Sequence, residues 1–430
     1  MSADSGDADK VRSPAPEVAY AAFVETNLKR NYRAHFADGM LSFTGFRLVS
    51  TPTFTPAFLL ALTGSPTMVG VGISLLQAGA MLSPVFVAAA IDHRRRILPA
   101  ALWIGLFMRL AILALALAGW LLSGSAAIFV SFAALILLGL GMGGQRVAFQ
   151  TLLGKVIPID RRGRLQGWRN FCGGVVAALL SIAAGRWLLG ATPTSHDYAE
   201  IFLFTFALSS TGLLIIAMTM REPEAPTVRP RLGYRALLRD LPVHFADLRF
   251  RRFSIVVACS AIARAASPFY ILHAGQVVGM DGQAIGMLAL CFTGAETLFN
   301  LFWGRTGDLR GYRATFLLAL LLGIVATLLL ALSRDWIWTY LAFAGLGACY
   351  SGLSLSQQTM VLELGPRETL AMRLGLSSSI DGIVSSLGPG LAGLTALWCG
   401  YAPLFVVSAS LFALALFPLA RLGGVERPRR

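Results

Sequence analysis

The chain has 430 residues, 56% of them hydrophobic and 13% charged, with a formal net charge of +14. With a mean hydropathy of +0.68, this composition excludes an ordinary soluble domain, and its continuous apolar blocks exclude a barrel of alternating strands. The positive charge is dispersed over short connections between those blocks, which argues against a nucleic-acid partner.

In chain order, residues 1–36 mix Asp4, Asp7, Asp9, Lys10 and Arg12 with Ser and Pro and lack the apolar core of a signal peptide. They read as a cytoplasmic tail with a surface helix near Tyr20 to His35. Apolar blocks of about 20 residues, enough to cross about 30 Å of hydrocarbon, then follow. The first six lie at 37–61, 68–91, 97–122, 127–153, 165–190 and 199–220. A polar stretch, 221–252, carries Pro223, Pro226, Pro230 and Pro242, and six more blocks follow at 253–279, 284–304, 314–332, 336–362, 373–397 and 402–420. The expected fold is therefore an all-α membrane protein of twelve transmembrane helices in two pseudo-symmetric six-helix bundles. The bundles occupy 37–220 and 253–420, joined by a cytoplasmic loop at 221–252 and closed by a cytoplasmic tail at 421–430.

Of the 36 Lys and Arg residues, Arg334 alone falls in an outer connection, and Arg47, Arg109, Arg146, Arg186 and Arg264 are assigned to spans, with Arg169 and Arg373, at the inner edges of theirs, counted with the inner connections. All the others lie on one side, which by the positive-inside rule places both termini in the cytoplasm of a multi-pass protein of the cytoplasmic (inner) membrane. The halves also repeat a spacing. Gln150-Thr151, Pro158 and Gly167 recur as Gln358-Thr359, Pro366 and Gly375, each shifted by 208 positions, and Asp92 and Asp308 occupy the loops after spans two and eight. Parallel repeats about an axis along the membrane normal are a transporter architecture with its site between them.

On these residues the chain resembles the major facilitator superfamily from about residue 37 to 420. The loop Gly304-Arg305-Thr306-Gly307-Asp308-Leu309-Arg310-Gly311-Tyr312-Arg313 is similar to that family's G-x-x-x-D-x-x-G-x-R signature. The first-half loop is a degenerate copy, with Ala88 and Arg95 in place of its two glycines and Asp92 retained. Gly388-Pro389-Gly390 also follows the family pattern. The resemblance implies a rocker-switch transporter whose cytoplasmic gate involves Asp92, Gly304, Asp308, Gly311 and Arg313. For Asp308 the chemistry agrees, since a carboxylate beside a helix N-terminus or an Arg makes charge-assisted bonds that rocking must break; the alternative is a simple helix cap. Span five lacks the Gly-Pro signature of the family's drug/proton antiporters, and no subfamily is assigned.

Several motifs point away from enzyme chemistry. Gly139-x-Gly141-x-x-Gly144 spells a dinucleotide fingerprint but lies inside span four, where small residues serve close helix approach. No P-loop occurs, and the five histidines lack metal-ligand spacing, so neither cofactor nor metal is expected. His273 is read as a packing residue before a vestibule residue.

Intramembrane charge carries the functional reading, because an Arg at a bilayer centre costs roughly 2.5–3.5 kcal/mol on the insertion scale. Arg186 lies near a span end and can snorkel. Arg47, Arg109, Arg264 and Arg146 lie deeper and are the candidate substrate-binding residues, since guanidinium binds carboxylate or phosphate bidentately. Glu296 and Asp381 are the acids well inside spans and the candidate proton-coupling groups. Static pairing of Arg109 or Arg146 with these acids is the alternative. Arg47 and Arg264 stand out, about ten residues into spans one and seven, in the matching texts Arg47-x-x-Ser50-Thr51-Pro52 and Arg264-x-x-Ser267-Pro268. A further resemblance, to the family's organophosphate branch, places an arginine on each of these helices. The alternative has each arginine packing on carbonyls freed at the prolines.

The expected function is secondary transport of a small organic solute, preferably anionic, by alternating access, with a proton or counter-solute and the lipid bilayer as the other partners, in a monomer. The alternative within transport is export of amphiphilic or hydrophobic compounds past Phe269, Tyr270, Trp303 and Tyr350. From another class, a non-transporting membrane receptor or scaffold stands as the remaining alternative.

Overall fold

The computed structural model describes residues 14–50, 52–91, 94–224, 246–364 and 370–422. Within these residues the chain is helical throughout, as apolar sequence must be where no water can satisfy backbone N–H and C=O groups. The first half comprises α1 (Pro14–Ser50), α2 (Phe54–Thr63), α3 (Pro66–Ile91), α4 (Leu98–Leu121), α5 (Gly124–Val156), α6 (Ile159–Trp187) and α7 (Ser195–Thr219). The second comprises α8 (Leu248–Arg264), a 3₁₀ turn (Ser267–Phe269), α9 (Tyr270–Val278), α10 (Gly282–Arg310), α11 (Tyr312–Leu332), α12 (Trp336–Glu363), α13 (Leu370–Cys399) and α14 (Tyr401–Ala420). Among the described residues, ten segments are long and apolar enough to cross a membrane, α8 to α9 counting as one. The more polar α1 with α2, and α12, run alongside them and fall outside that count.

Helix ends collect on two faces. Arg94 to Arg96, Arg161 to Arg164, Arg249 to Arg252, Arg305 to Arg313 and Arg421 mark one, while Arg186 and Arg334 are the described basic residues near the other. On the arginine-rich face basic side chains serve as helix caps. Arg313 donates to the carbonyls of Leu419 (3.2 Å) and Ala420 (2.6 Å), tying the start of α11 to the end of α14. The backbone N–H groups of Ile97 and Leu98 at the start of α4 have no capping side chain of their own. Glu222, just past α7, accepts them at 2.7–2.8 Å and accepts Lys155 Nζ at 3.0 Å.

The N-terminal arm is helical over Tyr20 to His35, as expected, with an exposed face, but it is continuous with the first span and its other face is packed. α1 is one uninterrupted helix of 37 residues, about 55 Å long at 1.5 Å per residue, and its first turns are packed. Asn31 is fully buried and exchanges hydrogen bonds with the backbone of Arg221, 2.9 Å and 3.0 Å. Leu28 and Ala34 join Ile97, Leu152, Leu165 and Ile216 in one apolar cluster. A polar-looking segment is thus held by an apolar stripe that fits between α4, α5, α6 and α7.

Helices of each half pack chiefly on one another, and the halves meet along α3 with α13 and α6 with α10. Small residues permit this: a Cβ on Gly286 would lie 2.7 Å from the Ser181 carbonyl, and Gly185 abuts Gly282, as Gly70 abuts Pro389. Ser74 Oγ accepts the Gly390 N–H at 2.9 Å. These contacts, with α2 against α9, close the halves together on the arginine-poor side. The glycines of the fingerprint-like motif have the same use within the first half, Gly139 against Leu76 of α3 and Gly141 against Met108 of α4.

Candidate functional site

Two helices are broken near mid-depth. α1 stops at Ser50 and resumes as α2 at Phe54, across Pro52; α8 stops at Arg264 and resumes as α9 after the turn holding Pro268. Proline supplies no N–H and crowds the preceding turn, so carbonyls at each break lose intrahelical donors. Thr55 Oγ1 donates to the Val49 carbonyl and repairs part of the first break. Arg47 lies in the last turn of α1 and Arg264 in the last turn of α8, so each guanidinium sits at the negative end of a helix dipole.

Both arginines face carboxylates. Arg47 pairs with Glu296 of α10, and Arg264 with Asp381 of α13. All four side chains are mostly buried, 16% and 18% exposed in the first pair and 21% and 28% in the second. Arg47 also lies over the Phe43 ring at 4.7 Å. The first pair joins the two halves of the chain, whereas the second lies wholly within the second half. Residues separately selected as substrate-binding and proton-coupling are thus brought together in two ion pairs.

Arg47 and Glu296 line a cavity of about 280 Å³ with Gln77, Thr55, Ser267, Phe292 and Tyr350. Tyr350 connects it to the second pair. Its hydroxyl donates to the Arg264 carbonyl at 3.4 Å, its ring lies 5.9 Å from the Arg264 guanidinium, and it meets Phe292 edge-on at 5.4 Å. A planar cation, a carboxylate, a side-chain amide, hydroxyls and an aromatic wall around one space suit a small solute with a charged end and an apolar body.

The remaining candidates lie elsewhere. Arg109 is fully buried within the first half, where it donates to the carbonyls of Ser209 and Gly105 and to Ser42 Oγ, each at 2.8 Å, with Asp38 at 3.7 Å. Three of its five N–H donors are thus engaged inside the first half. Asp38 was overlooked because it opens the apolar block; its spacing of four residues from Ser42, which donates to it at 2.9 Å, was the available signal. With Asp38 counted, three acids rather than two stand against the four deeper arginines. Arg146 is exposed on α5 and has no ion pair among the described residues. Gln77 and Tyr350 were not selected as polar site residues, and nothing in their local sequence singles them out.

At the gate signature, Asp308 is exposed and accepts from the Tyr312 hydroxyl at 3.4 Å, and Gly311 (φ 85°) makes the left-handed turn between α10 and α11 that a side chain would strain. Gly304 has open space around it, and Arg313 is the cap described above. Asp92 and Pro366 lie outside the described residues. His273 hydrogen-bonds the Leu330 carbonyl at 3.1 Å and packs on Phe405, as a packing residue would. Phe269, Tyr270 and Trp303 are buried in helix contacts, leaving Tyr350 as the cavity member of that aromatic set. Among the described residues, no three of His, Cys, Asp and Glu converge as metal ligands.

Residues 253–430 match the family model described as Major Facilitator Superfamily. A curated relative, the "Multi-drug resistance efflux pump PmrA homolog" of Lactococcus lactis subsp. lactis (strain IL1403), is 28% identical over 157 residues, 34% of this chain and 36% of that protein. The alignment therefore spans about a third of that relative's length. Among solved structures, a variant of nucleoside transporter NupG superposes with a TM-score of 0.72 at 14% identity, covering 91% of this chain and 100% of that one. A D-xylose-proton symporter gives 0.71 at 11% identity, covering 93% and 98%. The human organic anion transporter MFSD10 (TETRAN) gives 0.63 at 16% identity, covering 91% and 99%. At such identities the superpositions establish the fold and leave the site to its own chemistry.

Proposed function

We propose that this chain, a protein of the major facilitator superfamily with no subfamily assigned, is a secondary transporter that carries a small organic anion across the cytoplasmic membrane by alternating access. The observation that carries the reading is the Arg47–Glu296 pair, which lines the cavity and joins the two halves. Rocking of one half against the other must break this pair, whereas Arg264–Asp381 travels intact within its half.

The charge balance gives the mechanism. Without solute, Arg47 and Glu296 neutralise each other. An anion that takes the Arg47 fork displaces Glu296 and adds one negative charge to a largely dry site. A proton on Glu296 restores neutrality, so anion and proton enter together and leave together. Arg264 holds Tyr350 and the second break in place, and Asp381 is its fixed counter-charge. The architecture in this reading is twelve spans in two six-helix bundles, α1 with α2 and α12 supplying the spans beyond the ten. Its arginine-rich face, both termini and the 221–252 loop are cytoplasmic, with Asp92, Gly304, Asp308, Gly311 and Arg313 at the gate.

The test is uptake by proteoliposomes under an imposed proton gradient, screened over carboxylated and phosphorylated metabolites and followed by counterflow. Gradient-dependent accumulation of an anion that Arg47→Lys impairs at least tenfold is the expected result. A second reading, export of amphiphilic compounds, draws on the match to an efflux pump homologue and on the apolar wall of Ile73, Leu76 and Phe292. Accumulation of neutral amphiphiles with no anion flux would favour it. Binding of ligand with no flux of any solute would favour a receptor.

A further inference from the structure

On the arginine-rich face, away from the central cavity, the N-terminal arm and the start of α6 enclose a separate space of about 600 Å³. It is lined by Leu28, Lys29, Tyr32, Arg33, Arg161 and Arg164. Four cations surround one phenol and one leucine, and no acid is in the lining. Neighbouring basic residues are committed elsewhere. Lys155 bonds Glu222 and the Arg95 carbonyl, and Arg162 donates to the carbonyls of Ile157 and Gly154. By contrast Lys29, Arg33 and Arg164 are exposed and make no hydrogen bond or ion pair among the described residues. Like charges gathered around one hollow repel, and the arm that brings two of them here is held rigidly by buried Asn31 and Leu28. An anion sharing the space would relieve that repulsion.

The position of the hollow identifies the anion. Arg161, Arg164, Trp168, Val175 and Leu179 succeed one another along α6 at spacings of three, four and seven, which place them on one face. Trp168 is 54% exposed and Leu179 61% exposed. That stripe is apolar from Val175 onward, carries tryptophan where a membrane interface is expected, and ends in the two arginines. We propose that Lys29, Tyr32, Arg33, Arg161 and Arg164 form a site for the phosphate of an anionic phospholipid headgroup, with the acyl chains lying along the Val175–Leu179 stripe. The guanidinium forks of Arg33 and Arg164 match phosphate oxygens bidentately, and the Tyr32 hydroxyl adds a neutral donor.

The experiment is native mass spectrometry of the purified full chain titrated with phosphatidylglycerol, phosphatidylcholine or inorganic phosphate. The parent is compared with Arg33→Gln/Arg164→Gln, with Lys29→Gln alone, and with Arg249→Gln/Arg251→Gln as an equal charge loss elsewhere on the same face. Retained phosphatidylglycerol should be at least tenfold lower in the double variant, severalfold lower in Lys29→Gln, and unchanged in the Arg249/Arg251 control, with phosphatidylcholine unaffected throughout. Equal losses in both double variants would reduce the site to diffuse surface charge and overturn the proposal. Retention unchanged in Lys29→Gln and in the double variant would do the same, as would inorganic phosphate displacing the lipid at comparable concentration, which would mark a free-phosphate site. If the double variant fails to fold, Lys29→Gln against the control decides the matter.

Discussion

Replacing Glu296 by Gln isolates the competition at the centre of the proposed mechanism. The substitution keeps shape and hydrogen-bonding capacity while removing the charge that holds Arg47. The pair is 16% and 18% exposed, between the exposed pairs worth about 0–1 kcal/mol and the buried ones whose rupture costs about 3–5 kcal/mol. A value of about 1.5–3 kcal/mol follows for what an incoming anion must displace, or roughly a 10- to 150-fold gain in anion affinity when the competitor is removed. Two further consequences separate this from a general disturbance. Parent affinity should strengthen as pH falls, because anion binding takes up a proton, whereas Glu296→Gln affinity should not vary with pH. Accumulation driven by a proton gradient should vanish in the variant while exchange of substrate for substrate persists. Isothermal titration in detergent at a series of pH values, with flux in proteoliposomes, reads all three. A Glu296→Gln protein with parental affinity and parental pH dependence would refute the competition, and with it the coupling role.

Arg47→Lys keeps the cation but loses the fork, and should weaken anion binding at least tenfold with thermal stability preserved; parental binding and transport in both Arg47→Lys and Arg264→Lys would remove the arginines from the site. Glu222→Ala deletes the acceptor for Ile97, Leu98 and Lys155, and should cost about 2–4 kcal/mol, read as a clear fall in Tm in detergent. At the start of α8, burial opposes ionisation of Asp247, but the hydrogen bond from Arg373, the N–H groups of Arg249 and Phe250 and the Arg373 charge together hold its carboxyl below the usual range. A folded value below the unfolded one means that this stabilisation is complete above about pH 4 and is lost as pH falls through the folded value. Tm measured from pH 6 down to pH 3 should therefore fall less in Arg373→Met than in the parent. A cysteine placed in the 221–252 loop should resist impermeant reagents in intact cells, and robust labelling would reverse the proposed orientation.

Most of the fold was legible because its signals are one-dimensional. Apolar block length marks the ten apolar segments found among the described residues, and the residue pairs Gln150/Gln358 and Thr151/Thr359 lie near equivalent ends of α5 and α12. The breaks after Arg47 and Arg264 were visible as prolines. What could not be read was azimuth, meaning which way each polar side chain faces around its helix. Arg47, Arg109, Arg146 and Arg264 look alike as arginines in apolar text, yet one is sealed within the first half, one is exposed and two meet carboxylates. Partner choice needed Asp38, Ser42 and the Ser209 carbonyl, which approach Arg109 only when α1, α4 and α7 are assembled. The packed face of the N-terminal arm is hidden for the same reason, since Leu28 and Ala34 form too sparse a stripe to register until the groove they fill exists.

The glycine contacts between α6 and α10, and between α3 and α13, have a mechanical consequence. Backbones that touch without intervening side chains behave as two bearings, offering a short, smooth radius on the arginine-poor side. From Gly185 back to Ile159, α6 runs about 39 Å at 1.5 Å per residue, so a 10° swing about that bearing sweeps its far end by about 7 Å. In the proposed alternating-access cycle, displacement would be smallest at these contacts and greatest at Arg161 and Arg164. In that cycle a change too slight to separate the arginine-poor side would be magnified on the arginine-rich side, where the start of α6 and the α1 rod would carry it.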